Sequence, residues 1–293
     1  MIVAEIGSIA TGLRIDYASN PSLAIIVVAY ATVAVFYSFI RFDERLSQAL
    51  TTVGQLLLMM LFGTLCTYAA TKVAMPYRDA ELLAVDQLMG FDRTKYVHLL
   101  TDSHWKIFLA NCIYLAMLPQ LALVSLILVM MGRVELLQRF TVAYGLALCM
   151  TTAIFVFVPA VGAFVYFDLT PAQYASLADD IYTPARTLDA LRSGTMNVIQ
   201  LNNLEGLIAF PSFHTIAAIL YAWALWPVKL IRIPIVALNM AIISTTPVGG
   251  AHYLADVLAG FVVAFVAVVA SGVICRNEVE LPRTSSVPLA QSV

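Results

Sequence analysis

Apolar residues fall in long runs broken by short polar ones, and the spacing of those breaks predicts the elements. Asn20-Pro21-Ser22 marks a helix start, and Leu23 to Ile40 is the first run long enough to span a bilayer. The charged turn Arg41-Phe42-Asp43-Glu44-Arg45 separates it from a second span, Leu50 to Ala70. Pro76 to Lys106 is too polar for the bilayer core. Within it, Arg78 to Met89 places Leu82, Val85 and Met89 on one helical face with Glu81 and Asp86 elsewhere, an amphipathic interfacial helix stopped by Gly90. Trp105 and Lys106 anchor a third span, Ile107 to Met131, which Pro119 should kink. After a charged turn from Arg133 to Arg139, Phe140 to Phe167 holds the fourth span, with Pro159 in its later part.

Asp168 to Leu207 is the longest polar connector, rich in acids, with Arg186 and Arg192 as its bases. Span five runs from Pro211 to Trp226, span six from Ile233 to Thr245 and span seven from His252 to Ile274. The fold class is therefore all-α, a polytopic membrane helix bundle of about seven transmembrane helices, six being the alternative count, plus the interfacial helix. Residues 1–275 form one transmembrane domain, and 276–293 a polar, disordered tail. Met1 to Asn20 is mixed in character and fits a short interfacial segment. It lacks the cationic start and cleavage site of a removable signal peptide, which leaves the first span as the insertion signal.

Composition supports the class. Of 293 residues, 61% are hydrophobic and 12% charged, with mean hydropathy +0.88. A soluble domain carries roughly twice that charged fraction. A formal net charge of −2 gives no reason to expect nucleic acid as a partner. Cys66, Cys112, Cys149 and Cys275 show neither metal-ligand nor disulfide spacing. Arg41 and Arg45, Arg133 and Arg139, Lys229 and Arg232, and Arg276 share one face, which the positive-inside rule makes cytoplasmic. The opposite, outer face of the cell membrane then receives His214, His252 and the long connector.

Chemistry concentrates between Phe210 and Asp256. His252 and Asp256 are one helical turn apart, and a carboxylate at the edge of an apolar span is a functional-site candidate by default. Such a carboxylate fixes the imidazole tautomer and leaves the other ring nitrogen as a nucleophile or base. Pro211 suits a helix start and Ser212 a cap, so His214 falls in the first turn of span five, where free amides favour an anion. Gly249-Gly250 lets backbone amides approach a ligand closely. Two imidazoles at one amide-lined anion site could attack a phosphorus and protonate the departing oxygen. Two His and one Asp could instead hold a metal. The anion site needs none and no further ligand lies nearby, so neither metal nor cofactor is expected.

Pro211-Ser212-Phe213-His214 resembles the Pro-Ser-x-His motif of the type 2 phosphatidic acid phosphatase superfamily, and Ser244 to Asp256 resembles its last motif, which ends in His, three residues, Asp. The likeness covers residues 205–274 well and the N-terminal half in general layout. It implies His252 as the nucleophile that becomes a phosphohistidine, Asp256 as its partner and His214 as the general acid. Ser212 and the amide around Gly250 would hold the phosphate of a lipid substrate.

Two departures stand out. Thr246 occupies the position where the last motif usually carries Arg, and the Lys and Arg-Pro motif is missing ahead of the connector. In this the chain is similar to the branch containing inositol phosphorylceramide synthases, as it is in the Arg78-Asp79 segment with Asp86 and Gly90. Arg192, then Arg78, are the candidate cations on the outer face. The expected activity is a lipid phosphate phosphatase, because water needs no second binding site. A phosphotransferase moving a phosphoryl-headgroup to a lipid or polyol is the alternative. A proton-coupled transporter would need further ionisable residues deep in spans one to six, which have none; an inactive scaffold would fit the two missing cations.

Overall fold

The computed structural model describes residues 11–167 and 182–279. The start of the acidic connector, the tail beyond residue 279 and residues 1–10 lie outside the described residues.

The chain is a helix bundle. Its described strands are β1 (Arg14–Asp16) and β2 (Val198–Gln200), a parallel pair with Ile15 opposite Ile199. Helix α1 (Pro21–Val35) starts where Asn20-Pro21 predicts: the Asn20 side chain accepts from the Leu23 amide at 2.9 Å. It runs on through a wider turn to Ile40 and buries no residue, as befits a span facing lipid. Asp43 caps α2 (Glu44–Thr71) in the same way, accepting from the Leu46 amide at 2.9 Å. Helices α3 (Asp79–Leu88) and α4 (Arg93–Thr101) follow, then α5 (His104–Leu115) and α6 (Met117–Met130), α7 (Val134–Phe157), the short α8 (Ala163–Tyr166) and α9 (Thr183–Ser193). The bundle ends with α10 (Phe213–Leu225), α11 (Arg232–Gly249) and α12 (Leu254–Val279).

Among the described residues five helices are long and apolar enough to cross a membrane, and the α5–α6 pair, bent by 40°, makes a sixth. The seventh expected span is α10, whose 13 residues reach only about 20 Å at 1.5 Å per residue. Its position explains its composition. Helices α6, α7, α11 and α12 pack against it, so most of its surface is buried and it is apolar almost all round, as a largely buried helix is.

Prolines set two of the boundaries, and a third differs without one. The third span bends at Ala116, ahead of Pro119, because the proline ring opposes the carbonyl four residues earlier. The fourth ends at Phe157, with Val158 non-helical ahead of Pro159 rather than the helix running to Phe167. The stretch from Arg133 to Arg139 is mostly helix, since α7 begins at Val134.

The orientation of α3 has consequences for the site. Its buried positions are Asp79, Leu82 and Asp86, whereas Val85 and Met89 are exposed. The inward stripe is thus two carboxylates about a leucine, at the i, i+3, i+7 spacing of one helical face. The apolar residues turn away because the carboxylates have partners inside. Helix α3 packs against α8 and the start of α12, beside His252.

Candidate active site

The two motif segments meet directly. The Ser212 amide donates to the Asp256 carbonyl at 3.1 Å. Nearby, a Cβ on Gly260 would fall 2.9 Å from the Ser212 carbonyl oxygen and 2.9 Å from Thr215 Cβ, so only glycine lets α12 approach α10 this closely. Ser212 is the N-cap of α10, its hydroxyl accepting from the Thr215 amide at 3.4 Å and the Thr215 hydroxyl at 3.2 Å. Pro211 precedes the cap instead of occupying the helix, and His214 lies in the first turn as expected.

His252 and Asp256 touch, though not as neighbours along a helix. Helix α12 begins at Leu254, and His252 sits in the loop before it, after Ala251 with φ +52°. The loop is fixed by the Ala163 amide donating to the Ala251 carbonyl at 2.8 Å. Asp256 reaches back: its Oδ2 accepts from the Tyr253 amide at 2.8 Å, the carboxylate half of a capping box. The same oxygen lies 3.1 Å from His252 Nδ1, and the Ala209 carbonyl oxygen lies 2.7 Å from that nitrogen. Both partners are acceptors, so Nδ1 carries the proton and Nε2 keeps its lone pair. His252 and Asp256 are buried.

Two carboxylates outside the two histidine motifs hold this loop. Asp86 accepts from the Leu254 amide at 3.1 Å and the Ala255 amide at 3.0 Å, two of the donors that every helix start leaves free. Arg93 pairs with it at 3.2 Å and lies 5.2 Å from the centre of the Tyr253 ring. Burial draws the Arg93 guanidinium below its ordinary pKa, and Asp86 opposes that shift. Asp79 accepts from the Tyr253 hydroxyl at 3.0 Å and from the Val161 and Gly162 amides at 3.0 and 3.1 Å. Burial raises its carboxyl above the usual range, and these hydrogen bonds counter the rise. The residues flanking His252 are therefore held from outside the motif. The available signal was the spacing of Asp79 and Asp86, two turns apart on one face.

His214 and His252 line one cavity of about 770 Å³, their ring centres 6.5 Å apart. The cavity extends from the imidazoles between α2, α5, α6 and α7, where Leu57, Leu61, Leu118 and Leu148 form its wall. No described lysine or arginine lines it. Arg78 instead pairs with Glu81 at 2.7 Å on the surface. Arg192 lies over the Tyr77 ring, 3.7 Å from its centre; burial pushes the Tyr77 hydroxyl up to about 12, with the Arg192 charge opposing. Thr246 is buried within α11, donating to the Ile242 carbonyl at 2.8 Å. The Gly250 amide donates to the Thr246 carbonyl at 3.0 Å, so what approaches this glycine is side chain, not a free amide. Among the described residues no group of three His, Cys, Asp or Glu could hold a metal ion.

Gly250 has no room for a Cβ, which would lie 2.4 Å from His252 Cδ2 and 2.7 Å from Nε2. Gly250→Ala is expected to push the imidazole aside. A displacement of about 1 Å costs on the order of 100-fold in rate, so turnover should fall by that factor while the melting temperature changes little. Equal turnover of variant and parent would show that the ring has space the structure denies it.

A buried imidazole at His252, a half-buried one at His214 and a buried carboxylate at the head of an apolar cavity, within a membrane-spanning bundle, make the arrangement of a membrane-embedded enzyme. A family model described as the PAP2 superfamily matches residues 80–270, and the chain belongs to that family. Membership supports an activity of phosphatase type. The match begins well ahead of residue 205 and takes in Asp86 and Arg93 as well as the paired motifs. Comparison with curated proteins and with solved structures found no match.

Proposed function

We propose that the protein is an integral-membrane phosphatase that hydrolyses a lipid phosphate ester through a phosphohistidine at His252. The observation that carries this reading is the committed Nδ1 of His252, which leaves Nε2 as a lone-pair donor in a cavity shared with His214. Nε2 attacks phosphorus, the bond from phosphorus to the lipid oxygen breaks, and His214 gives that oxygen a proton. Water then attacks the phosphohistidine and yields a proton to His214, releasing phosphate and restoring Nε2. The leucine wall suits the lipid tail. The basic connectors support a site on the outer face of the cell membrane.

One observation favours a second reading. The described wall has no cation, and it carries the carboxylate-bearing residue Glu205. A doubly charged monoester wants compensation there, whereas a singly charged diester wants less. Transfer of a phosphoryl-headgroup to an alcohol, as in the inositol phosphorylceramide synthase branch, would satisfy that constraint with the same residues.

The test is detergent-purified protein given lipid phosphomonoesters and phosphodiesters, with and without a polyol. Release of inorganic phosphate, with acid-labile phosphate retained on the protein after a rapid quench, is the expected result. Headgroup transfer without phosphate release would favour the second reading, and no turnover of either class would overturn both.

A further inference from the structure

Tyr114 stands in the middle of the site although no motif contains it. It lies on α5, two residues before the bend at Ala116. Its ring is stacked on the His214 imidazole, with centres 4.0 Å apart and planes at 16°. Its hydroxyl lies 3.0 Å from His214 Nδ1. The ring is also fitted to the glycine pair: a Cβ on Gly249 would be 2.7 Å from Tyr114 Cγ. A Cβ on Gly250 would be 2.7 Å from the Tyr114 hydroxyl oxygen and 2.7 Å from His252 Nε2. The hydroxyl and the free nitrogen of His252 therefore both face one glycine.

The protonation of His214 decides what that hydroxyl is free to do. As the protonated acid of the proposed reaction, His214 carries a proton on Nδ1, so the Tyr114 hydroxyl accepts there. The hydroxyl proton is left available to a third group inside the cavity. The charges around the site are meanwhile engaged elsewhere. Arg93 pairs with Asp86, Arg78 with Glu81, and Arg192 covers Tyr77. A phosphoryl group moving to Nε2 carries charge on its outer oxygens, and a fixed donor aimed at that charge is worth most where water is excluded.

We propose that Tyr114 is a further catalytic residue, whose hydroxyl donates a hydrogen bond to an outer oxygen of the phosphoryl group at His252 Nε2. The inference rests on His252 being the group that receives the phosphoryl. No bond to Tyr114 forms or breaks; the hydroxyl keeps its proton throughout. Gly249 and Gly250 then have a shared reason to be glycine, since together they admit the ring and its hydroxyl.

The test uses the full-length protein in detergent with orthovanadate, which takes the geometry of a phosphoryl group in transfer. Affinity is read by isothermal titration of the parent, Tyr114→Phe and His252→Asn. The phenylalanine keeps the ring that stacks on His214 and fills the space over the glycines, so its melting temperature should match the parent. Expected are vanadate binding by the parent, none by His252→Asn, and binding about tenfold weaker in Tyr114→Phe. With a lipid phosphate, kcat of Tyr114→Phe should fall about 100-fold at nearly constant KM, the size usual for one lost oxyanion donor. Parental vanadate affinity in Tyr114→Phe would overturn the role of Tyr114 and leave His252 untouched. Failure of the parent to bind vanadate would overturn both.

Discussion

Replacing His252 by asparagine should abolish turnover, a fall of about 10,000-fold or more, while leaving the protein folded. Asparagine is the more informative change because its side-chain amide can still donate where Nδ1–H now does. The Ala209 carbonyl and the Asp256 carboxylate, 2.7 and 3.1 Å from Nδ1, then keep a partner. What is lost is Nε2, the lone pair on the cavity side. Alanine removes both nitrogens and leaves a buried carboxylate short of a donor, which is destabilising in its own right. The pair of variants therefore separates chemistry from folding. Both should be inactive in phosphate release, and His252→Asn should retain more of the parental melting temperature than His252→Ala. The acid-labile phosphate retained by the parent after quenching should be missing from both. Turnover of a tenth of the parental rate or more in folded His252→Asn would exclude His252 as the nucleophile and leave the cavity without a covalent route.

The membrane bundle is legible in the sequence because each span writes itself locally, as a run of apolar residues between charged turns. The contact of His252 with Asp256 is legible for the same reason, their separation being four residues. Even so, the expected geometry is only partly right. The spacing reads as one helical face, whereas the structure places His252 ahead of α12 and makes the contact through a capping carboxylate. The role of α3 is hidden in a different way. An interfacial helix turns apolar residues such as Val85 and Met89 toward lipid, and that reading gives Asp79 and Asp86 no inward role. At this site the inward need is for acceptors, because the start of α12 and the loop after α7 present free amides that lipid cannot satisfy. Those amides belong to Leu254, Ala255, Val161 and Gly162, far from Asp79 and Asp86 in the chain, so no local pattern records the pairing. Tyr114 is hidden more simply. It is one of 13 tyrosines, set in an apolar run, and only the fold stacks it on His214.

Asp86→Ala should be the most damaging substitution outside the two motifs, lowering both stability and turnover. Three donors depend on that carboxylate: the part-buried Leu254 amide, the buried Ala255 amide and the Arg93 guanidinium. Breaking a buried ion pair by removing one partner costs about 3–5 kcal/mol, because the other charge stays behind uncompensated. Each orphaned amide adds on the order of 1 kcal/mol or more. The melting temperature in detergent should therefore drop by several degrees, and turnover at a temperature where the variant remains folded should fall about 100-fold as the His252 loop loses its anchor. Arg93→Met distinguishes the two contributions. It removes the cation, whose own burial is already unfavourable, and leaves Asp86 able to accept from both amides. Its loss of turnover should be clearly the smaller of the two, even where its melting temperature falls comparably. Were Arg93→Met the more damaging to turnover, the guanidinium itself would be acting on the site and the amides would be secondary. Parental stability and turnover in Asp86→Ala would mean that the start of α12 needs no partner from α3, and that the His252 loop holds its position without the Asp86 carboxylate.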